Sequence, residues 1–193
     1  LRLKRGHRVV KKLKFTESKP DPSVRLDLGA GKGAQTPDGF TPVDKHAWKG
    51  IKVVDLTKRW PWKASSVDEV HCSMLVNYLT PSERVHFFNE LYRVMKPDAK
   101  ARFITPMWSA QRGYVDIRTH YPPVSEGFFH TLSKAWREAQ NELDTFGFTC
   151  DFDAVMGYGL HPAITTRNDE YQRDAVSWYK EAAQDLIATL TKR

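Results

Sequence analysis

The chain is short of cysteine, of long apolar runs and, at its start, of negative charge. Each shortage excludes something. Cys72 and Cys150 are the only cysteines in 193 residues, too few for a disulfide framework. No Cys/His spacing fits a zinc site, so no metal is expected. Cys72 falls in an apolar strand pattern and Cys150 follows a Gly-Phe-Thr turn, so both read as small buried hydrophobes of a reducing compartment. No apolar run approaches the roughly 20 residues that span a bilayer. The opening residues, LRLKRGHRVVKKLK, lack the apolar core and cleavage site of a secretory signal, so the expected location is the cytoplasm, with no membrane partner. Among residues 1–19, Glu17 is the single acid against eight Lys and Arg. Such an arm is either solvated or a surface for nucleic acid or an acidic partner, held by counterion release. Repeats and low-complexity segments are missing too.

What remains is a globular composition, 40% apolar and 12% aromatic, with a net charge of +7. It fits one domain over residues 20–193 behind a basic arm, 1–19. The arm has room for a short strand at Arg8–Phe15. After Pro20-Asp21-Pro22, SVRLDLGAG reads as a strand running into a glycine turn. GFTPVDKH and GIKVVDL read as the second and third strands, and Glu69–Met74 as the fourth. A helix follows, with Thr80 as N-cap, Pro81 at its first position and Glu83 completing a capping box. Val85, Phe88, Tyr92 and Met95 recur at helical spacing as its core face, and Lys96-Pro97-Asp98 stops it. AKARFITP is the fifth strand. Residues 107–124 are irregular and aromatic. Ser125 caps a long helix to Phe146, ended by Gly147. FTCDFDAVMGYGL is a sixth strand, Arg167–Gln184 is mostly helical, and DLIATLTK closes as the seventh. Alternating strands and helices predict an α/β sheet, mostly parallel, with both faces covered.

In such a sheet, ligands bind beyond the carboxyl ends of the central strands, where strand order reverses. Asp27, Gly29, Gly31, Gly33, Asp44 and Asp55 all fall at that edge. An acid after the second strand can take both hydroxyls of a ribose, and one after the third can accept from an exocyclic amine. The glycines are spaced G-x-G-x-G, not G-x-G-x-x-G. Pro37 and Gly39 interrupt the helix that would hold a pyrophosphate. The pattern suits an adenosine that carries an amino acid.

With LDLGAGKG, DGFTPVD, VVDL, RWPW, SSVDEV, LVNYL and VMKPDA in this order, residues 24–106 resemble a class I S-adenosylmethionine-dependent methyltransferase. The resemblance is to a small group found in bacteria and in bacterial viruses, which places the protein in the host cytoplasm if a virus carries it. It implies a Rossmann-like doubly wound seven-stranded sheet with an antiparallel last strand, and S-adenosyl-L-methionine as cofactor. It also implies that Asp27, Gly29, Ala30 and Gly31 line the methionine part, that Asp44 is the ribose acid, and that Asp55 and Leu56 contact adenine. Ser73, Met74 and Leu75 would end strand four beside the sulfonium. The sequence departs from the group at Val76-Asn77-Tyr78, where an acidic, imidazole-bearing turn is common, and at Pro97-Asp98-Ala99. No general base is assigned; the candidates are Asn77, Tyr78, Tyr114 and His120.

The expected activity is methyl transfer to a small molecule or nucleotide. Its alternatives are a non-catalytic cofactor-binding or scaffold protein, and an enzyme that degrades the cofactor. Other candidates have structural counterparts. Trp60-Pro61-Trp62 walls the adenine pocket or packs a turn. Tyr121-Pro122-Pro123 reverses a motif of amino methyltransferases. His71 reads as structural, and His130, His161 and Arg112 as surface or packing residues. Residues 107–130 form either an acceptor lid or a hydrophobic cover.

Overall fold

The computed structural model describes residues 23–33, 35–116, 118, 124–140 and 147–193. The strand proposed at Arg8–Phe15 lies outside them, as does the whole basic arm. Seven strands form one sheet: β1 (Arg25–Leu28), β2 (Thr41–Asp44), β3 (Lys52–Val53), β4 (Val67–Ser73), β5 (Met95–Pro106), β6 (Phe152–Leu160) and β7 (Ala183–Lys192). Their order is β3-β2-β1-β4-β5-β7-β6. The chain winds outward from β1 to β3, returns to β4 and winds the other way, so strand order reverses between β1 and β4. The pairs from β3 to β5 are parallel, while β7 runs antiparallel to both β5 and β6. This is the expected Rossmann-like α/β sheet with its antiparallel last strand.

Helix α1 (Pro81–Val94) joins β4 to β5 and has the predicted capping box. The Glu83 N–H donates to Thr80 Oγ1 at 3.4 Å, and the Thr80 N–H donates to Glu83 Oε2 at 2.8 Å. Of the expected core stripe, Phe88 and Met95 are buried and Tyr92 packs against the core, and the stripe widens to take in Arg84, Phe87, Leu91 and Val94. The reason is aromatic packing. Phe87 meets Trp60 at 5.1 Å between ring centroids, and Phe88 meets Phe103 of β5 at 5.3 Å, a geometry favourable beyond area burial. β5 starts at Met95, earlier than expected, and bulges. Val67 pairs with Met95 but Glu69 with Lys100. Pro97, which has no N–H for the ladder, sits in that bulge, and Asp98 adopts φ 62°.

The long helix expected at Ser125–Phe146 is instead α2 (Glu126–His130) and α3 (Lys134–Ala139), with 141–146 outside the described residues. The break buries Leu132 completely and turns its carbonyl to the Phe152 N–H at 3.1 Å. Ser133 then caps α3. Arg137, 3% exposed, ties the turn to the segment that leads into β6 by donating to the Thr131 and Cys150 carbonyls. The helix expected over Arg167–Gln184 is α4 (Asp169–Trp178), capped by Asn168, because Ala183 and Gln184 belong to β7.

Among the described residues, the helical cover expected on both faces is seen for α1 and α2 on one of them. Leu26, Leu28, Val70, Cys72, Phe103, Ala188 and Leu190 are buried on the face that carries α1 and α2. Alternation puts Arg25, Lys100, Arg102, Asp153 and Val155 on the other face, where all are exposed. Among the described residues, turns replace helices between β1 and β2 and between β2 and β3, and Val53, which pairs with Asp44 on that face, is exposed. No helix among the described residues is long and apolar enough to cross a membrane.

Candidate functional site

Three glycines leave β1 in the left-handed region, Gly29 at φ 76°, Gly31 at 56° and Gly33 at 75°. Gly29 is needed twice over, because a Cβ there would lie 2.9 Å from Leu75 Cβ. The loop therefore packs against the segment that leaves β4. At Gly31 a Cβ would meet no described residue within 4 Å, so among the described residues this peptide borders open space. The N–H groups of Gly29 and Ala30 both donate to the Val43 carbonyl, at 2.9 and 3.0 Å. The Gly31 N–H donates to Asp44 Oδ2 at 3.0 Å. β2 thus grips the loop through both backbone and side chain.

Asp44 ends β2, and its Oδ1 accepts from the His46 N–H at 2.9 Å, with the His46 ring at 3.0 Å. Burial pushes its pKa up, but these bonds and the one from Gly31 outweigh burial, and the carboxyl lies below its usual range. Asp55 follows β3 on the surface, where the Thr57 hydroxyl and N–H both donate to Oδ1, at 2.7 and 3.0 Å. The hydroxyl bond, then the backbone bond, holds this carboxyl low, and no described residue hydrogen-bonds Oδ2. Asp27 differs. It is 4% exposed, with Oδ1 2.8 Å from His71 Nδ1 and Oδ2 accepting from the Thr36 hydroxyl at 2.6 Å.

Leu56 is buried, and its carbonyl accepts from Trp60 Nε1 at 3.0 Å. Trp60 is 2% exposed and packs on Phe87 in the core. Ser73 ends β4. Met74 then takes φ 56°, unusual for a residue with a side chain, held by its N–H on the Ile104 carbonyl at 2.8 Å. Leu75 abuts Gly29 and leads into a 3-10 turn, Val76–Tyr78. Asn77 is 4% exposed, and its side-chain Oδ1 has no hydrogen-bond partner among the described residues. The Tyr78 hydroxyl donates to Asp116 Oδ2 at 2.9 Å. Arg118 pairs with the same carboxylate and lies over the Tyr78 ring, 5.5 Å from its centre. Burial, then Asp116, raises the Tyr78 pKa, while Arg118 holds Asp116 far below the carboxylate range.

Beyond β5, Met107 and Ala110 are buried, whereas Trp108, Tyr114 and Val115 are exposed. The Tyr114 hydroxyl donates to the Trp108 carbonyl at 2.9 Å. Arg112 reaches Asp185 of β7 at 3.0 Å, and Asp185 is raised by burial against the opposing pull of Arg112. The segment thus has a buried root and an exposed tip. His120 and Tyr121-Pro122-Pro123 lie outside the described residues. His130 stacks on Trp136, and the His161 ring accepts from the Ala163 N–H. Thr36, His46, Asp116 and Asp185 were not singled out from the sequence. Only strand parity, which sets His71 of β4 beside Asp27 of β1, offered a signal for any tie at Asp27.

The chain has the class I S-adenosylmethionine-dependent methyltransferase fold. A methyltransferase of this type from Archaeoglobus fulgidus superposes with a TM-score of 0.61 at 16% identity, over 89% of this chain and 87% of that one. The 1,6-didemethyltoxoflavin-N1-methyltransferase of Burkholderia thailandensis, solved with 1,6-didemethyltoxoflavin and S-adenosylhomocysteine, gives 0.53 at 14% identity, over 89% and 71%. A Methanosarcina mazei methyltransferase gives 0.52 at 14%, over 87% and 91%. No protein-family profile matches the chain, and no curated protein matches it by sequence.

Proposed function

We propose that the carboxyl edge of β1, β2, β3 and β4 binds S-adenosylmethionine, and that the protein transfers its methyl group to a small-molecule or nucleotide acceptor. The carrying observation is the clamp of Gly31 on Asp44 beside open space at the reversal of strand order. The residues present fit the cofactor. Asp44 keeps acceptor capacity for ribose hydroxyls, and Asp55 has an oxygen free for an exocyclic amine. Gly29, Ala30 and Gly31 border the methionine part, with Asp27 behind them. Leu56 lies beside the adenine, and Ser73, Met74 and Leu75 beside the sulfur. The Burkholderia enzyme of the same fold carries the demethylated product.

When bound, the cofactor supplies a methyl group already activated on sulfur. The chain's own residues bind, orient and exclude water, which accounts for much of the rate in such reactions. A base is needed only for an acceptor that is protonated at working pH. Tyr78 is no such base while its hydroxyl donates to Asp116; its part is to fasten the segment after β5 to the end of β4.

The neutral Val76-Asn77-Tyr78 turn favours a second reading, a module that holds the cofactor without transferring its methyl group. Residues 1–19 offer a route to a nucleic-acid acceptor. That partner predicts binding with a steep salt dependence, which truncation before Lys19 abolishes. Calorimetric titration with S-adenosylmethionine and S-adenosylhomocysteine tests cofactor binding. Label transfer from methyl-tritiated cofactor into a metabolite extract separates the enzyme from the module.

A further inference from the structure

The loop from Gly29 to Phe40 has a weak skeleton for a segment that shapes a binding edge. Among its described residues there is no helix, only single turns: Gly33 N–H to the Ala30 carbonyl, Thr36 to Gly33 and Phe40 to Pro37. Backbone and Asp44 bonds hold its start, near Gly29 to Gly31. Its further half is tied down elsewhere, at the pair Asp27 and His71.

Asp27 and His71 are register partners on β1 and β4. A carboxylate that is 4% exposed needs a donor at each oxygen. His71 Nδ1 lies 2.8 Å from Oδ1, and Thr36 donates to Oδ2 at 2.6 Å. Carboxylate oxygens only accept, so Nδ1 carries the proton. The imidazole fixes the carboxylate so that its second oxygen faces the loop. The loop also returns over the imidazole. The Phe40 ring meets His71 edge-on at 6.4 Å between centroids, and Arg25 lies 5.7 Å over Phe40. His71 therefore meets the loop at two points, at Thr36 through Asp27 and at Phe40 directly.

We propose that Thr36, Asp27 and His71 form a tether that replaces a helix in holding the glycine loop in its binding shape, with His71 as a positioning residue. The link to the cofactor rests on the preceding subsection, but the tether itself does not. In this arrangement Asp27 spends both oxygens on the protein and shapes the peptides of Gly29 to Gly33 from behind. A bond to a charged acceptor is worth about a tenfold to hundredfold change in an equilibrium, and a loop without a helix has little else to compensate its loss.

The test uses the full chain and four variants: Thr36→Val, Thr36→Ser, His71→Leu and His71→Asn. In ligand-free protein, amide exchange at Gly33 and Thr36 should speed up by about tenfold in Thr36→Val and in His71→Leu. Thr36→Ser, which keeps the hydroxyl, and His71→Asn, which keeps a donor, should restore slow exchange. With S-adenosylhomocysteine, Kd should rise about tenfold in the first two variants. Their double variant should lose less than the product of the two losses, since both act through one carboxylate. Wild-type exchange in Thr36→Val and His71→Leu overturns the tether, and so do losses that multiply. Wild-type protein that binds no cofactor but shows the exchange pattern overturns the cofactor reading and supports the tether.

Discussion

Replacing Gly29 and Gly31 one at a time by alanine should separate the glycine that builds the fold from the one that borders the ligand. Both positions are left-handed, at φ 76° and 56°, and each alanine carries a conformational cost of about 1–2 kcal/mol. Only Gly29 adds a collision, because its new Cβ would lie 2.9 Å from Leu75 Cβ and from Leu75 Cδ2. Rotating the leucine moves Cδ2 aside but leaves Cβ, which the backbone fixes. Overpacking of this kind costs about 1–3 kcal/mol. Gly29→Ala should therefore lose about 2–5 kcal/mol, a fall in Tm on the order of 5–15 °C. Gly31→Ala, with nothing within 4 Å of its Cβ, should lose only the conformational part. It should still weaken cofactor binding about tenfold, because the methyl group enters the space the ligand needs. Urea unfolding and calorimetry on both variants supply the readings. Equal stability losses, or an unchanged Kd in Gly31→Ala, would refute the reasoning.

Asp44→Ala and Asp55→Ala should each weaken cofactor binding by about 1.5–3 kcal/mol, read by titration. The Asp44 carboxyl is held below its usual range in the folded protein, so its contribution to stability is present above the unfolded pKa. It should begin to fall at about pH 4 and be lost as pH drops through the lower folded value, where urea midpoints of Asp44→Asn should converge on those of the parent. Tyr78→Phe removes the bond to Asp116 and should lower kcat while leaving the cofactor Kd within about twofold; a matched change in both would contradict the assignment. Both thiols are buried, and burial pushes Cys72 well above its usual range and Cys150 up to about 12. A thiol reagent at neutral pH should label neither until the chain unfolds.

The sheet was legible because its strands end where chemistry changes. Asp44 and Asp55 each follow apolar residues and precede turn residues, Asp27 stands one residue before the glycine turn, and the capping box at Thr80 and Glu83 marks α1 without ambiguity. The interrupted helix after the glycines was legible too, from Pro37 and Gly39. The helix stripe was legible only in part: Phe88 and Met95 are buried as expected, but Phe87, Leu91 and Val94 are buried too. Phe87 is drawn in by Trp60, which is distant in sequence. The break at Thr131–Ser133 was hidden for the same reason: Leu132 leaves the helix to reach Phe152, a contact no local pattern contains. At the candidate site, the acids could be named from the sequence but their donors could not. His46 follows Asp44 at short range, whereas Thr36 and His71 find Asp27, and Tyr78 finds Asp116, only through the tertiary fold.

Calorimetric titration of the full chain with S-adenosylmethionine, run beside Asp44→Ala, tests the central claim most directly. The account predicts one site per chain, saturable by S-adenosylhomocysteine as well, and weakened at least about tenfold in Asp44→Ala. No heat with either compound, or equal affinity in the variant, would contradict it.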